Sequence, residues 1–104
     1  MTPTVVDAPE SNRYELRVGD EVVGVAEYIL VPKRDRIVLT HTEVDPQRKG
    51  EGLGGAIAQG VLDDIRGRGL LVQPLCPFIA AYIARHPEYA DIVVPEMRAE
   101  FAPG

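Results

Sequence analysis

The 104-residue chain carries 11 Lys and Arg against 16 Asp and Glu, a formal net charge of −5, with 45% hydrophobic and 26% charged residues. That composition fits one domain with a modest core and excludes disordered or collagen-like chains. The acidic balance, with basic residues only in local pairs such as Arg34/Arg36 and Arg48/Lys49, argues against a grip on nucleic-acid phosphates. No apolar run approaches the roughly 18 residues of a membrane span, and the polar start lacks a signal-peptide pattern, so a cytoplasmic protein is expected. A lone cysteine, Cys76, excludes an internal disulfide, and no C-x-x-C or H-E-x-x-H spacing supports a metal site.

In chain order, residues 1–11 hold two prolines without sustained periodicity and read as a loose leader. Residues 12–94 read as the domain and residues 95–104 as a tail. Arg13 to Val18 and Val22 to Leu30, rich in Val, Tyr, Ile and Leu around Gly19-Asp20, predict a β-hairpin. After a turn over Pro32 to Asp35, Arg36 to Val44 alternates with β-branched residues and predicts a third antiparallel strand. Gly50, Gly52, Gly54 and Gly55 then cluster ahead of Leu53, Ile57, Val61 and Ile65, whose spacing of four predicts a helix ending near Arg68-Gly69. Leu70 to Leu75 predicts a short strand of the parallel type, and Pro74 makes it an edge or splayed one. Cys76 at the cap and Pro77 at the first position predict a second helix with Ile79, Tyr82, Ile83 and His86 on one face, stopped by Pro87. Beyond it, Ile92-Val93-Val94 is a short apolar run of open assignment.

A strand that runs through glycines into a helix brings together backbone N–H groups that have no intrahelical partner, and the dipole adds positive potential, so phosphate is the natural ligand. A tight turn with close helix packing would produce the same cluster. The spelling fits neither a P-loop, since no Lys-Ser or Lys-Thr follows, nor a dinucleotide fingerprint, which opens a βαβ unit rather than following a meander.

The run Val44-Asp45-Pro46-Gln47-Arg48-Lys49-Gly50-Glu51-Gly52-Leu53-Gly54 resembles the pyrophosphate-binding motif of the GNAT acetyltransferases, [QR]-x-x-G-x-[GA]. Two registers fit: Gln47, Gly50 and Gly52, or Lys49, Gly52 and Gly54. The second is preferred because Leu53 and Ile57 then match the apolar helix, although Lys49 departs from the usual Gln or Arg. Thr40 to Val44, and Pro74 to Phe78 through Tyr82, Arg85, His86, Pro87, Glu88 and Tyr89, are similar to a small YjdJ-type N-acetyltransferase-like subgroup. The resemblance covers roughly residues 14–89. It implies an α+β, compact GNAT-like fold: an antiparallel β meander, a cofactor-binding helix, a splayed parallel strand and a closing helix. It implies acetyl-CoA as cofactor and a small-molecule or protein amine as acceptor. Lys49, Gly50, Glu51, Gly52, Leu53, Gly54 and Gly55 would grip the pyrophosphate, and the backbone of Glu43 and Val44 would line the pantetheine. Arg85 is a candidate for an adenosine phosphate, and Tyr82 for adenine or pantetheine packing, with a core position as its alternative.

His41 and Glu43, two apart on the third strand, should share the side of Ile37 and Leu39. Acyl transfer to an amine needs a base for the ammonium proton, which suits His41; a polar spacer is the bland reading. Cys76 at a helix start could take the acetyl group or protonate departing CoA, or be a small buried residue. His86 reads as a structural closing residue and Asp63-Asp64 as a solvated helix face. The function expected is N-acetyl transfer; a CoA-binding module without turnover is the alternative, and an unrelated cysteine hydrolase using Cys76 and His41 leaves the glycine turn unexplained.

Overall fold

A computed structural model describes residues 2–31, 33, 35–48 and 50–101. Alternation of apolar and polar residues gives a strand one face to bury and one to solvate. The alternating half of the chain accordingly forms four antiparallel strands: β1 (Thr4–Ala8), β2 (Arg13–Val18), β3 (Glu21–Val31) and β4 (Arg36–Val44). Helix α1 (Leu53–Gly67) carries the chain back so that β5 (Leu71–Pro74) lies parallel to β4, and α2 (Pro77–Arg85) follows. The sheet order is β1-β2-β3-β4-β5, the mixed α+β architecture expected. Of the turn between β3 and β4, Pro32 and Arg34 lie outside the described residues.

The spacing-of-four residues of α1, Leu53, Ile57, Val61 and Ile65, all enter the core, joined by Leu62. They meet Tyr14, Leu16, Ala26, Ile37 and Leu39 from the sheet, and Ile79 and Ile83 from α2. The helix ends where Gly69 takes a φ of +71°, which lets Leu70 N–H reach Ile65 O at 3.1 Å and closes the last turn. Both helices lie against one side of the sheet. The molecule is only 20 Å through its shortest axis, against 36 and 32 Å in the others, as one sheet and one helix layer require. No described helix covers the other face, where Glu27, Ile29, His41 and Glu43 are exposed.

Within the leader expected over residues 1–11, Thr4–Ala8 form a strand and Pro9–Ser11 a 3-10 turn. Thr4-Val5-Val6-Asp7 is short and sets two valines side by side, so it does not read as periodic, but β2 supplies its ladder partner and α1 its packing partner. A Cβ added at Gly60 of α1 would stand 2.3 Å from Val5 Cγ2, so the helix approaches β1 this closely only because the residue is glycine. Just before the tail, Val93 bridges Val72 in parallel, and within it Met97 and Phe101, from the 3-10 segment Pro95–Phe101, pack against the core.

Asp63 and Asp64 are more than a solvated face. Tyr89 Oη donates to Asp63 at 2.7 Å and Tyr14 Oη to Asp64 at 2.7 Å, while Tyr28 Oη donates to Asp7 at 2.6 Å. Arg68 Nη1 reaches both Asp7 and Tyr14 Oη at 3.2 Å, tying β1 and β2 to the end of α1. Burial and the adjacent carboxylates raise all three phenols, Tyr28 to about 12.

On the open face, Glu15 lies between Arg13 and Arg17, bonded to both guanidinium groups, and its side chain is only 8% exposed. Arg17 first, then Arg13, holds its carboxyl below the ordinary value. A folded pKa below the unfolded one gives stability that is present above the unfolded value, near 4.3, and lost as pH falls through the folded one. Urea midpoints measured from pH 7 to pH 2.5 should therefore fall less in Glu15→Gln than in the parent chain, although the variant starts from a lower midpoint at pH 7.

Candidate functional site

β4 carries an irregularity that decides which side chains meet. Glu27 pairs with His41 and Tyr28 with Leu39, so Thr40 is an extra residue opposite the β3 ladder, a β-bulge. One extra residue inverts the alternation beyond it. Ile37 and Leu39 enter the core, Thr42 and Val44 continue that side, and His41 and Glu43 turn to the open face with side-chain exposures of 53% and 71%. The expectation that His41 and Glu43 share the side of Ile37 and Leu39 is thus corrected. The two do meet each other, His41 Nε2 standing 3.1 Å from Glu43 Oε1.

Past Leu39, β4 and β5 part. Leu75 N–H and Cys76 N–H both donate to Leu39 O, at 3.1 and 3.0 Å, after which the chain enters α2 and leaves the edge of β4 from His41 to Val44 without a β5 partner. Cys76 and Pro77 open α2 as expected, but the thiol does not cap the helix. Cys76 Sγ bonds Thr42 Oγ1 at 3.4 Å and the residue is 3% exposed, so it forms the floor of the fork between the strands. Sequence reading missed Thr42 because only the bulge turns it inward.

The glycine turn follows β4. Asp45 Oδ1 accepts Gln47 N–H at 2.9 Å and starts a 3-10 turn over Pro46–Arg48; Glu51 N–H then bonds Arg48 O at 3.2 Å. Arg48 spans Glu21 at 2.9 Å and Glu51 at 3.3 Å, so its charge holds the turn to the start of β3. Gly52, at a φ of +74°, is the N-cap of α1, and the first helical bond runs from Ala56 N–H to Gly52 O. The amides of Leu53, Gly54 and Gly55 are left without helical partners. No side chain caps this end and its first turn holds no acidic residue. The preferred register therefore spans the helix start, with Gly52 at the cap and Gly54 two residues in; the other lies wholly before the helix. Lys49 is outside the described residues. Leu53 is buried as an anchor, Gly55 is exposed, and Gly54 lies against Phe78 of α2, a residue that sequence reading did not single out.

Tyr82 and Arg85 are not brought to this turn. Arg66, near the end of α1, bonds Glu88 O at 2.8 Å and Asp91 at 2.9 Å, and Tyr89 meets Asp63, so the end of α2 lies beside the last turns of α1. Tyr82 is buried, its ring stacked 4.1 Å from that of His86, which closes α2. It belongs to the core, the alternative reading of the sequence, while Arg85 is exposed on the last helical turn. Among the described residues no group of three or more His, Cys, Asp or Glu could hold a metal ion.

The sequence model of the GCN5-related N-acetyl-transferase family matches residues 13–92, and the protein belongs to that family. Solved structures share its fold. A GCN5-like putative N-acetyltransferase from Staphylococcus aureus superposes with a TM-score of 0.64 at 19% identity, covering 86% of each chain. The ribosomal-protein-S18-alanine N-acetyltransferase of Escherichia coli gives 0.52 at 24% identity over 60% of this chain. N-acetylglutamate synthase from Neisseria gonorrhoeae, solved with coenzyme A and N-acetyl-glutamate, gives 0.54 at 17% identity over 95% of this chain. The match spans 39% of the E. coli chain and 26% of the N. gonorrhoeae chain. No curated protein matches the sequence. Among the described residues no helix is long and apolar enough to cross a membrane.

Proposed function

We propose that the protein is an acetyl-CoA-dependent N-acetyltransferase. The observation that carries the proposal is the uncapped start of α1, with three free amides and no acidic residue in its first turn, joined to the unpaired edge of β4 by the glycine turn. Amides without partners at the positive end of a 15-residue helix suit a pyrophosphate, and a free strand edge suits the amides of a pantetheine arm. Acetyl-CoA would supply an activated acyl carbon near the fork. His41, with Nε2 3.1 Å from Glu43 Oε1, is the candidate to take the ammonium proton of the acceptor on a ring nitrogen. The freed amine then attacks the thioester carbon, forming the C–N bond as the C–S bond breaks; the second amine proton passes to solvent, and the departing thiolate takes a proton from a group that solvent re-protonates. Cys76, at the fork with Thr42 as its partner, is the candidate for that group. Within the family, placement in the YjdJ-type subgroup rests on the Cys76-Pro77 element and the His86-Pro87-Glu88-Tyr89 run.

Calorimetric titration with acetyl-CoA, followed by thiol release in the presence of amines, tests the reading. Saturable binding with turnover supports it, whereas binding without turnover over many amines would assign a CoA-binding module. His41→Ala is expected to lower kcat about a hundredfold and Cys76→Ala about tenfold to a hundredfold, both with acetyl-CoA affinity intact. An acetyl group retained on Cys76 in a mass spectrum would instead make the thiol a nucleophile.

A further inference from the structure

One concavity on the molecule starts at Glu43, the partner of the proposed base, and runs along the end of β4 to Asp45 and Pro46, where the glycine turn begins. It is an open groove of about 230 Å³ where β3 begins and β4 ends, lined by Val22, Val23, Val25, Val44 and Pro46, with Glu43 and Asp45 along it. Its size falls below the roughly 300–1,000 Å³ of pockets that enclose a whole small molecule, so it suits an extended arm. Its walls are apolar and its two charged residues are both acidic, so the complementary occupant has a hydrocarbon body and positive charge. Glu43 is the partner of His41, where an ammonium would lose its proton. Asp45 comes two residues later, one past the end of β4 with its N–H still bonded to Val23 O, so two strand rises, about 6.8 Å, separate the two backbone positions. A chain of four or five methylenes between two nitrogens spans roughly 6–7.5 Å at ordinary bond lengths and angles.

We propose that this groove is the acceptor subsite and that its occupant is a short aliphatic diamine. One nitrogen reacts beside His41 and Glu43 while the other, still protonated, is held by Asp45. This rests on the transferase reading above. Glu27, exposed and directly opposite His41 on β3, adds a third carboxylate to the approach, which favours a cationic acceptor over a neutral or anionic one.

The test compares kcat/KM at saturating acetyl-CoA for 1,4-diaminobutane, 1,5-diaminopentane, n-butylamine and n-pentylamine, in the parent chain and in Asp45→Asn. The amide keeps an oxygen for Gln47 N–H, so the turn is retained while the charge is lost. A charge-assisted hydrogen bond makes the diamines better by about tenfold, expressed in KM. Asp45→Asn should erase that advantage, bringing the diamines down to the kcat/KM of the monoamines when all four are read at saturating acetyl-CoA. Val25→Trp, which fills the groove from its wall, should raise the diamine KM about tenfold with the same acetyl-CoA Kd. Equal kcat/KM for diamines and monoamines, or an Asp45→Asn effect equal on all four, overturns the diamine subsite and leaves the transferase reading standing. Acetyl-CoA binding without acetylation of any amine overturns both.

Discussion

Gly55→Glu is expected to raise the melting temperature and to weaken acetyl-CoA binding by about a thousandfold or more. The stability gain follows from position. Gly55 is the third residue of α1, nothing stands within 4 Å of a Cβ added there, and glycine is a poor helix former. Glutamate recovers about 0.5 kcal/mol of propensity and a further ~0.3–1 kcal/mol from the helix dipole. The binding loss has the same origin, because the carboxylate would occupy the field proposed for the pyrophosphate. Two like charges about 5 Å apart repel by roughly 3 kcal/mol at an effective dielectric near 20, and a pyrophosphate carries more than one. Thermal unfolding and calorimetry on the same variant check both halves. A variant that binds acetyl-CoA like the parent would show that the ligand does not sit on this helix end.

Gly60→Ala is expected to destabilise the fold by about 2–3 kcal/mol, although alanine is the better helix former by about 1 kcal/mol. The added methyl would lie 2.8 Å from Val5 Cβ and 2.3 Å from Val5 Cγ2, so α1 or β1 must move. Val5→Ala removes the γ-carbons and should lose modestly alone, yet in combination with Gly60→Ala should recover at least half of the loss. Urea unfolding of the two single variants and the double variant gives the coupling directly. Additive losses would mean that β1 is not pressed against α1. Since a small domain typically has about 5–15 kcal/mol in all, the effect should also be plain in the melting temperature.

The elements that could be read from sequence are those whose signal is local and long. β4 and the start of α2 fall where the β-branched alternation and Cys76-Pro77 put them, and α1 ends at the glycine that its last turn requires. The strand at residues 4–8 was not legible, because a short run with two adjacent valines between two prolines carries no periodicity and its stabilising partners lie on β2 and α1. Asp63 and Asp64 looked like a solvated pair for a similar reason: their tyrosine partners are 26 and 50 residues away. In the site, the turn before α1 was legible because glycine reports positive φ, which Gly50 and Gly52 adopt. The facing of His41 was not. Alternation was the right rule for β4, but it holds only between bulges, and nothing in Leu39-Thr40-His41 announces that the ladder skips a residue there.

The bulge at Thr40 gives β4 a reading frame. Substitutions along the strand change one contact at a time, but loss of a single residue at position 40 would shift every later side chain to the opposite surface, driving a histidine and a glutamate under α1 and exposing Thr42 and Val44. Related chains in which this surface does the same work should therefore differ at Thr40 by substitution and conserve the number of residues between Leu39 and Asp45.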